Sequence, residues 1–247
     1  MRRRVMCSVA AVAALLASAG CGGTARRARA DSSPIAKKHS PVVKEQAHHT
    51  PVVMFLGDSY TTGRYGQIPE LTYAADTART LGWQVILGGY RGTGFVAKGH
   101  VHKNFANLFT EQLAWRPAPD LVIVSGGHND RKYSPEEVAS SARQLLSTIQ
   151  QTWTENPRVV LMGPMWGGDP IASVKDVRDA LVGVAAEQNV PFIDPLREHW
   201  ITGDRKEGTG NAPMYILHDG IHPSTAGARF ISTKLVADLR KLKLAKP

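Results

Sequence analysis

Ser59, Asn129, Asp219 and His222 are residue types that together can carry out acyl chemistry, and each stands within two residues of a glycine. A serine hydroxyl is a weak nucleophile until a neighbouring base takes its proton, and His222 can be that base. The imidazole must be held in one tautomer by an acceptor on its other nitrogen. Asp219, three residues earlier, is close enough to serve within a single turn. Attack on an ester carbonyl creates an oxyanion, which needs donors already in place. The Ser59 N–H, an N–H from the Gly92-Thr93-Gly94 turn and the Asn129 side-chain amide can supply three. Glycine suits that turn because it lets the backbone approach a substrate without a Cβ in the way.

Such residues work only if the chain brings them to one rim. Ser59 follows an apolar, β-branched run that stops at Gly57, which reads as a buried strand ending at a crevice. Strand-like runs at Val52–Gly57, Trp83–Gly88, Asp120–Gly126, Arg158–Gly163 and Val190–Ile193 alternate with helix-like segments. The segments lie around Glu70–Leu81, Ala106–Trp115, Pro135–Thr152, Val174–Gln188 and Ser224–Leu242. Ser134-Pro135-Glu136-Glu137 is a strong helix start, with a capping serine, proline in the first turn and early acids. Strict alternation predicts an α/β fold, a three-layer α/β/α sandwich around a parallel sheet of about five strands. Ser59 follows the first strand, Gly92–Gly94 the second and Gly127-His128-Asn129-Asp130 the third, while Asp219-Gly220-Ile221-His222 precedes the last helix. In a parallel sheet these loops share one edge.

Gly57-Asp58-Ser59-Tyr60, a glycine in the second loop, Gly127-His128-Asn129-Asp130 and Asp219-Gly220-Ile221-His222-Pro223, in that order, resemble the conserved blocks of the SGNH/GDSL hydrolases. The resemblance spans Pro51 to Leu242. It implies a flavodoxin-like sheet, a Ser59-His222-Asp219 triad acting on carboxylic esters, and an oxyanion hole from Ser59, a second-block glycine and Asn129, with no metal or other cofactor. Gly92 is favoured over Gly94 for that glycine. Tyr60 stands where the family name has leucine, which leaves the nucleophile unchanged. An acyltransferase using the same triad and a non-catalytic envelope binding protein on the same scaffold are the alternatives.

Other readings compete at single positions. Ser59 alone could be a helix cap. Asp58 is adjacent to the serine rather than to the histidine, which points to a structural role, and Asp130 is expected to secure the loop that aims Asn129. His128 lines the site, lies behind it or faces solvent. Tyr60, Gly94, His128 and Trp166 are the candidate substrate contacts, with Tyr65 and Phe95 as further pocket residues. The GxSxG elbow of ordinary α/β-hydrolases is missing, since Thr61 occupies its last position. His100-Val101-His102, with Gly99, resembles a GHxH metallophosphoesterase element, but it precedes the GHND block and lacks the opening DxH element, so no metal site is expected.

The front of the chain is a separate matter. Met1-Arg2-Arg3-Arg4 and the uncharged stretch Val5–Ala19 read as a signal peptide, too short for a spanning helix of roughly 20 residues. Ala17-Ser18-Ala19 fits a signal-peptidase site, while Ser18-Ala19-Gly20-Cys21 resembles a lipobox and makes Cys21 the lipidation candidate, with an anchor in the membrane. The domain expectation is therefore 1–21 signal peptide, 22–50 disordered basic tether and 51–247 hydrolase domain, exported and membrane-anchored or secreted. The net charge of +9 invites a nucleic-acid reading, yet the first arginines carry +3 and the tether +4, leaving +2 for the domain. No nucleic-acid partner is expected. Cys7 and Cys21 are the only cysteines, so the domain's stability has to come from packing rather than disulfides. An envelope address makes esters of glycans or lipids with short acyl groups the expected substrates.

Overall fold

The structure is a computed structural model that describes residues 49–245. The expected signal peptide, Cys21 and nearly all of the expected tether lie outside the described residues. Five strands, β1 (Val52–Gly57), β2 (Gln84–Gly89), β3 (Leu121–Ser125), β4 (Arg158–Met162) and β5 (Phe192–Ile193), form one parallel sheet in the order β2-β1-β3-β4-β5. The helices are α1 (Ser59–Thr62), α2 (Tyr73–Leu81), α3 (Phe105–Gln112), α4 (Pro135–Thr152), α5 (Ala172–Glu187), α6 (Ala212–Tyr215) and α7 (Thr225–Lys241). This is the flavodoxin-like strand order, in which the chain reverses direction across the sheet between β1 and β3. None of the helices is long and apolar enough to cross a membrane, among the described residues.

Alternation of side chains along the strands builds the three layers. Val53 and Phe55 of β1, with Leu121 and Ile123 of β3, are buried against Tyr73 and Ala74 of α2 and Ile231, Leu235 and Leu239 of α7. Met54, Leu56, Val122 and Val124 point the other way, into Phe105 and Phe109 of α3, Val138, Leu145 and Ile149 of α4 and Leu181 of α5. Both faces of the sheet are therefore dry, and the central strands read as continuous apolar runs rather than alternating ones. α4 begins as expected: the Ser134 hydroxyl accepts from the Glu137 N–H at 3.2 Å, and the Ser134 N–H donates to the Glu137 carboxylate at 3.1 Å.

The elements differ from the expected ones where local hydrogen bonding overrides the apolar pattern. The helix expected over Glu70–Leu81 is split, because Thr72 is extended and caps α2 through the Ala75 N–H, leaving a 3-10 turn at Pro69–Leu71 before it. The fifth strand shrinks to Phe192–Ile193. Val190 N–H is used to close the end of α5 on the Ala185 carbonyl, and Pro191 has no N–H to give a ladder. The long connection from Asp194 to Ser224 holds the short helix α6 and the fully buried Trp200, neither of which has a strand or helix period to announce it.

Candidate active site

Ser59 sits at the first residue of α1, immediately after β1, and Asp58 caps that turn by accepting the Tyr60 N–H at 2.9 Å. Being first in the turn, Ser59 N–H has no carbonyl within the helix to bond. Across from it, Ser224 caps α7 and Pro223 is buried, so the Asp219–His222 loop is held at the head of the last helix. Leu217 N–H donates to the His222 carbonyl at 2.8 Å, closing the loop on itself.

Asp219, His222 and Ser59 form one hydrogen-bonded chain. His222 Nδ1 is 2.8 Å from Asp219 Oδ2, and His222 Nε2 is 3.0 Å from Ser59 Oγ. The carboxylate can only accept, so Nδ1 carries the proton and Nε2 is left to accept from the serine hydroxyl. The other carboxylate oxygen, Oδ1, accepts the N–H groups of Ile221 and His222, each at 2.9 Å. Burial pushes the Asp219 carboxyl upward, but those two N–H donors and the imidazole outweigh it, and the group is held below its ordinary range. It stays an anion while the imidazole gains a proton.

The remaining elements are assembled by Asp130. Its buried carboxylate accepts the N–H groups of Phe95, Val96 and Ala97 at 3.0, 2.9 and 2.8 Å, which locks the loop after β2 onto the turn that carries Asn129. Asn129 Nδ2 donates to the Thr93 carbonyl at 2.9 Å. That tie uses one amide hydrogen and leaves the second for a ligand. Gly92 adopts φ +76°, a conformation that favours glycine, and lines the cavity with Ser59, Asn129 and His222. Gly94 is committed elsewhere: its N–H donates to the Ala97 carbonyl at 2.8 Å, and a Cβ there would meet the Asp130 carboxylate at 2.2 Å.

The cavity has a volume of about 380 Å³. His128 and Trp166, two of the four expected substrate contacts, line it, together with Arg64, Tyr65, Arg91, His100 and Arg131. Tyr60 and Gly94 do not. Tyr60 is 3% exposed; its hydroxyl donates to the Ile221 carbonyl and its ring stands edge-on to His128, with centroids 5.1 Å apart. It fastens the serine turn to the histidine loop, a tie for which a leucine at this position has no donor. Phe95 is buried against Phe105 in the core, and Tyr65 is open to solvent at the rim. A separate cavity of about 620 Å³, lined by Lys175, Arg178 and Arg197 among others, contains none of these groups. Among the described residues no three His, Cys, Asp or Glu side chains gather as metal ligands.

Two buried titratable groups lie under Ser59. Asp58 Oδ2 and His128 Nδ1 approach to 3.4 Å. Burial lifts the Asp58 carboxyl to about 7, opposed by the Tyr60 N–H and His222. Burial, with Arg131 and His222 adding to it, pushes the His128 imidazole down to about 4. His128 is therefore neutral near pH 7, and the approach is not an ion pair. Because the folded-state pKa of Asp58 lies above its unfolded value near 4, folding favours the protonated acid. Its contribution is intact below about pH 4 and lost as pH rises through about 7. Asp58→Asn keeps the cap oxygen and removes the charge. It should be more stable than the parent at pH 8, by up to about 4 kcal/mol, with the gain vanishing by pH 4. Urea unfolding at the two pH values measures this, and an equal midpoint at pH 8 would contradict it.

Known proteins resemble this chain in sequence and in fold. Residues 55–230 match the model of the GDSL-like Lipase/Acylhydrolase family. The chain is 31% identical over 198 residues to the GDSL lipase Rv0518 of Mycobacterium tuberculosis, covering 74% of this chain and 79% of that one. Among solved structures, Est24, a carbohydrate acetylesterase from Sinorhizobium meliloti, superposes with a TM-score of 0.60 at 17% identity, over 78% of this chain and all of the other. The native M. smegmatis aryl esterase superposes with a TM-score of 0.58 at 19% identity, again over 78% of this chain and all of the other. With a family match over most of the chain and this flavodoxin-like sheet, the chain belongs to the GDSL-like lipase/acylhydrolase family and is an SGNH-type ester hydrolase.

Proposed function

We propose that the protein hydrolyses carboxylic esters with Ser59 as nucleophile, His222 as general base and then acid, and Asp219 as the group that orients His222. The observation that carries this reading is the unbroken chain Asp219–His222–Ser59, at 2.8 and 3.0 Å, opening into the cavity that Gly92 and Asn129 line. Ser59 Oγ attacks the carbonyl carbon while Nε2 takes its proton, and the ionised Asp219 stabilises the imidazolium. The oxyanion is met by the N–H groups of Ser59 and Gly92 and by the uncommitted hydrogen of the Asn129 amide. Collapse expels the alcohol, which receives the proton from His222. Water then repeats the sequence on the acyl-enzyme, and the carboxylic acid leaves. The N–H of Gly94, already bonded to Ala97, takes no part.

Short acyl groups, acetyl above all, on glycans or lipids of the cell envelope are the substrates. A cavity of about 380 Å³ suits an acyl group and one or two sugar-sized units, and Est24, of the same fold, is a carbohydrate acetylesterase. Export by residues 1–21 and a lipid on Cys21, with 22–50 as tether, complete the reading. Its support is the lipobox-like sequence and the concentration of +7 of the net charge of +9 ahead of the domain. A serine-reactive fluorophosphonate tests the chemistry: it is expected to modify Ser59 and abolish ester turnover.

A further inference from the structure

The cavity around Ser59 is strongly one-sided in charge. Arg64, Arg91 and Arg131 line it, and among the described residues the only carboxylate in its lining is Asp219. Asp219 is already occupied by His222 and two backbone N–H groups. Among the described residues no carboxylate lies within 4.0 Å of any of the three guanidinium groups, although other arginines on the surface are paired, such as Arg79 with Asp76 and Arg143 with Glu187. Two of the three are held by neutral partners instead. Arg91 lies over the rings of Tyr65 and Tyr90, at 5.2 and 4.8 Å from their centroids. Arg131 lies over Trp166 at 5.5 Å and donates to the His128 carbonyl at 2.9 Å. Stacking on a ring fixes the plane of a guanidinium without neutralising it, so most of its five donors remain for a ligand.

Arg64 and Arg131 are exposed and Arg91 is half-buried, so solvent screens their mutual repulsion, but a neutral ester makes no use of their charge. A carboxylate or phosphate on the substrate does, through charge-assisted and bidentate hydrogen bonds. We propose that Arg64, Arg91 and Arg131 make this esterase selective for esters whose alcohol part carries a carboxylate or phosphate. This rests on the short-acyl reading above, which leaves the alcohol side to carry the anion. The anionic group takes no part in bond making. The Ser59 Oγ–C bond forms, the ester C–O bond breaks, and the proton from Ser59 leaves with the anionic alcohol.

The test separates binding from turnover. In Ser59→Ala protein, binding of 4-acetoxybenzoate and its neutral isostere 4-acetoxybenzamide is followed by NMR titration at low salt and at high salt, with 4-acetoxyphenyl phosphate as the phosphate arm. An anion should bind about tenfold or more tightly than the amide, equivalent to one good charged contact. The preference should shrink with salt and fall close to unity when Arg64→Gln, Arg91→Gln and Arg131→Gln are combined. Which anion gains more tells carboxylate from phosphate. Equal affinity for all three probes overturns the proposal, whatever the variants do, and so does a preference that survives loss of all three arginines in a protein that melts normally. Turnover by the unmutated protein is read separately. Hydrolysis of all the esters at equal kcat/KM removes the selectivity and keeps the esterase, whereas tight anion binding without turnover of any ester removes the esterase and keeps the anion site.

Discussion

His222→Ala should lower kcat on p-nitrophenyl acetate by about 10⁴ or more, and Ser59→Ala by a similar factor, with little change in thermal stability. Both side chains stand at the cavity, and neither removal opens the core. The two losses should not multiply, because serine and histidine act as one unit: the double variant should be about as slow as either single one. Asp219→Asn should cost less than His222→Ala, though still orders of magnitude. It keeps one acceptor for the loop N–H groups but offers the imidazole a neutral partner, and can present an amide donor to Nδ1. Steady-state kinetics on the four proteins gives the comparison. A His222→Ala protein within tenfold of the parent would remove the general base from the account.

The second large effect falls on a residue that never meets substrate. Asp130→Ala strips the acceptor from three N–H groups, those of Phe95, Val96 and Ala97. Leaving buried donors unpaired costs about 1–3 kcal/mol each where water cannot replace the partner. Partial relaxation of the loop reduces the sum, and a net loss of about 3–5 kcal/mol is expected in chemical unfolding. Burial raises the Asp130 carboxyl, against the pull of the three N–H groups, so Asp130→Asn should be milder than alanine without restoring the parent. The kinetic signature matters more than the stability loss. Displacing the Gly92 loop would remove the proposed oxyanion donors, so kcat should fall by about 10²–10³ while KM changes little. Gly94→Ala should reproduce the same pattern from the opposite side, because its Cβ would strike that carboxylate at 2.2 Å. Normal kcat in a folded Gly94→Ala protein would separate the loop from catalysis.

These two residues also mark what could and could not be read before folding. The sheet was legible because β1 and β3 carry uninterrupted apolar runs, Val52–Leu56 and Leu121–Val124, with Gly57 and Gly126 marking where they stop, and because the intervening helices carry apolar residues at helical spacing. Ser59 was legible as a candidate because it stands just past the end of β1, and Asp219 and His222 because their three-residue spacing falls shortly before the Ser224 start of α7. Other features depend on contacts between distant segments. The Gly92 and Gly94 N–H groups look alike in the chain, and only the Ala97 carbonyl, reached through a tight loop, sets Gly94 apart. Tyr60 reads as an aromatic facing the crevice, yet its hydroxyl is drawn to a carbonyl 161 residues away. Asp130 was expected to secure the loop that aims Asn129. It also clasps three N–H groups some 35 residues earlier in the chain.

Arg64, Arg91 and Arg131 show the limit from the charge side. Spread over the chain they are three ordinary cations in a domain with a net charge of only +2, and no window or motif groups them. Folding gathers them at the point where the strand order reverses, beside Ser59. A bulk charge describes how a domain behaves in solution. What a site attracts depends on which charges share its walls.

In the proposed mechanism Ser59 Oγ, activated by His222, forms the bond to the acyl carbon. The most direct measurement is peptide mapping by mass spectrometry after reaction with a fluorophosphonate, alongside residual turnover of p-nitrophenyl acetate. The expected result is a single adduct on Ser59, formed in step with loss of turnover, and strongly slowed in His222→Ala. Full turnover by protein whose Ser59 is quantitatively modified, or turnover that stops while Ser59 remains unmodified, would contradict it.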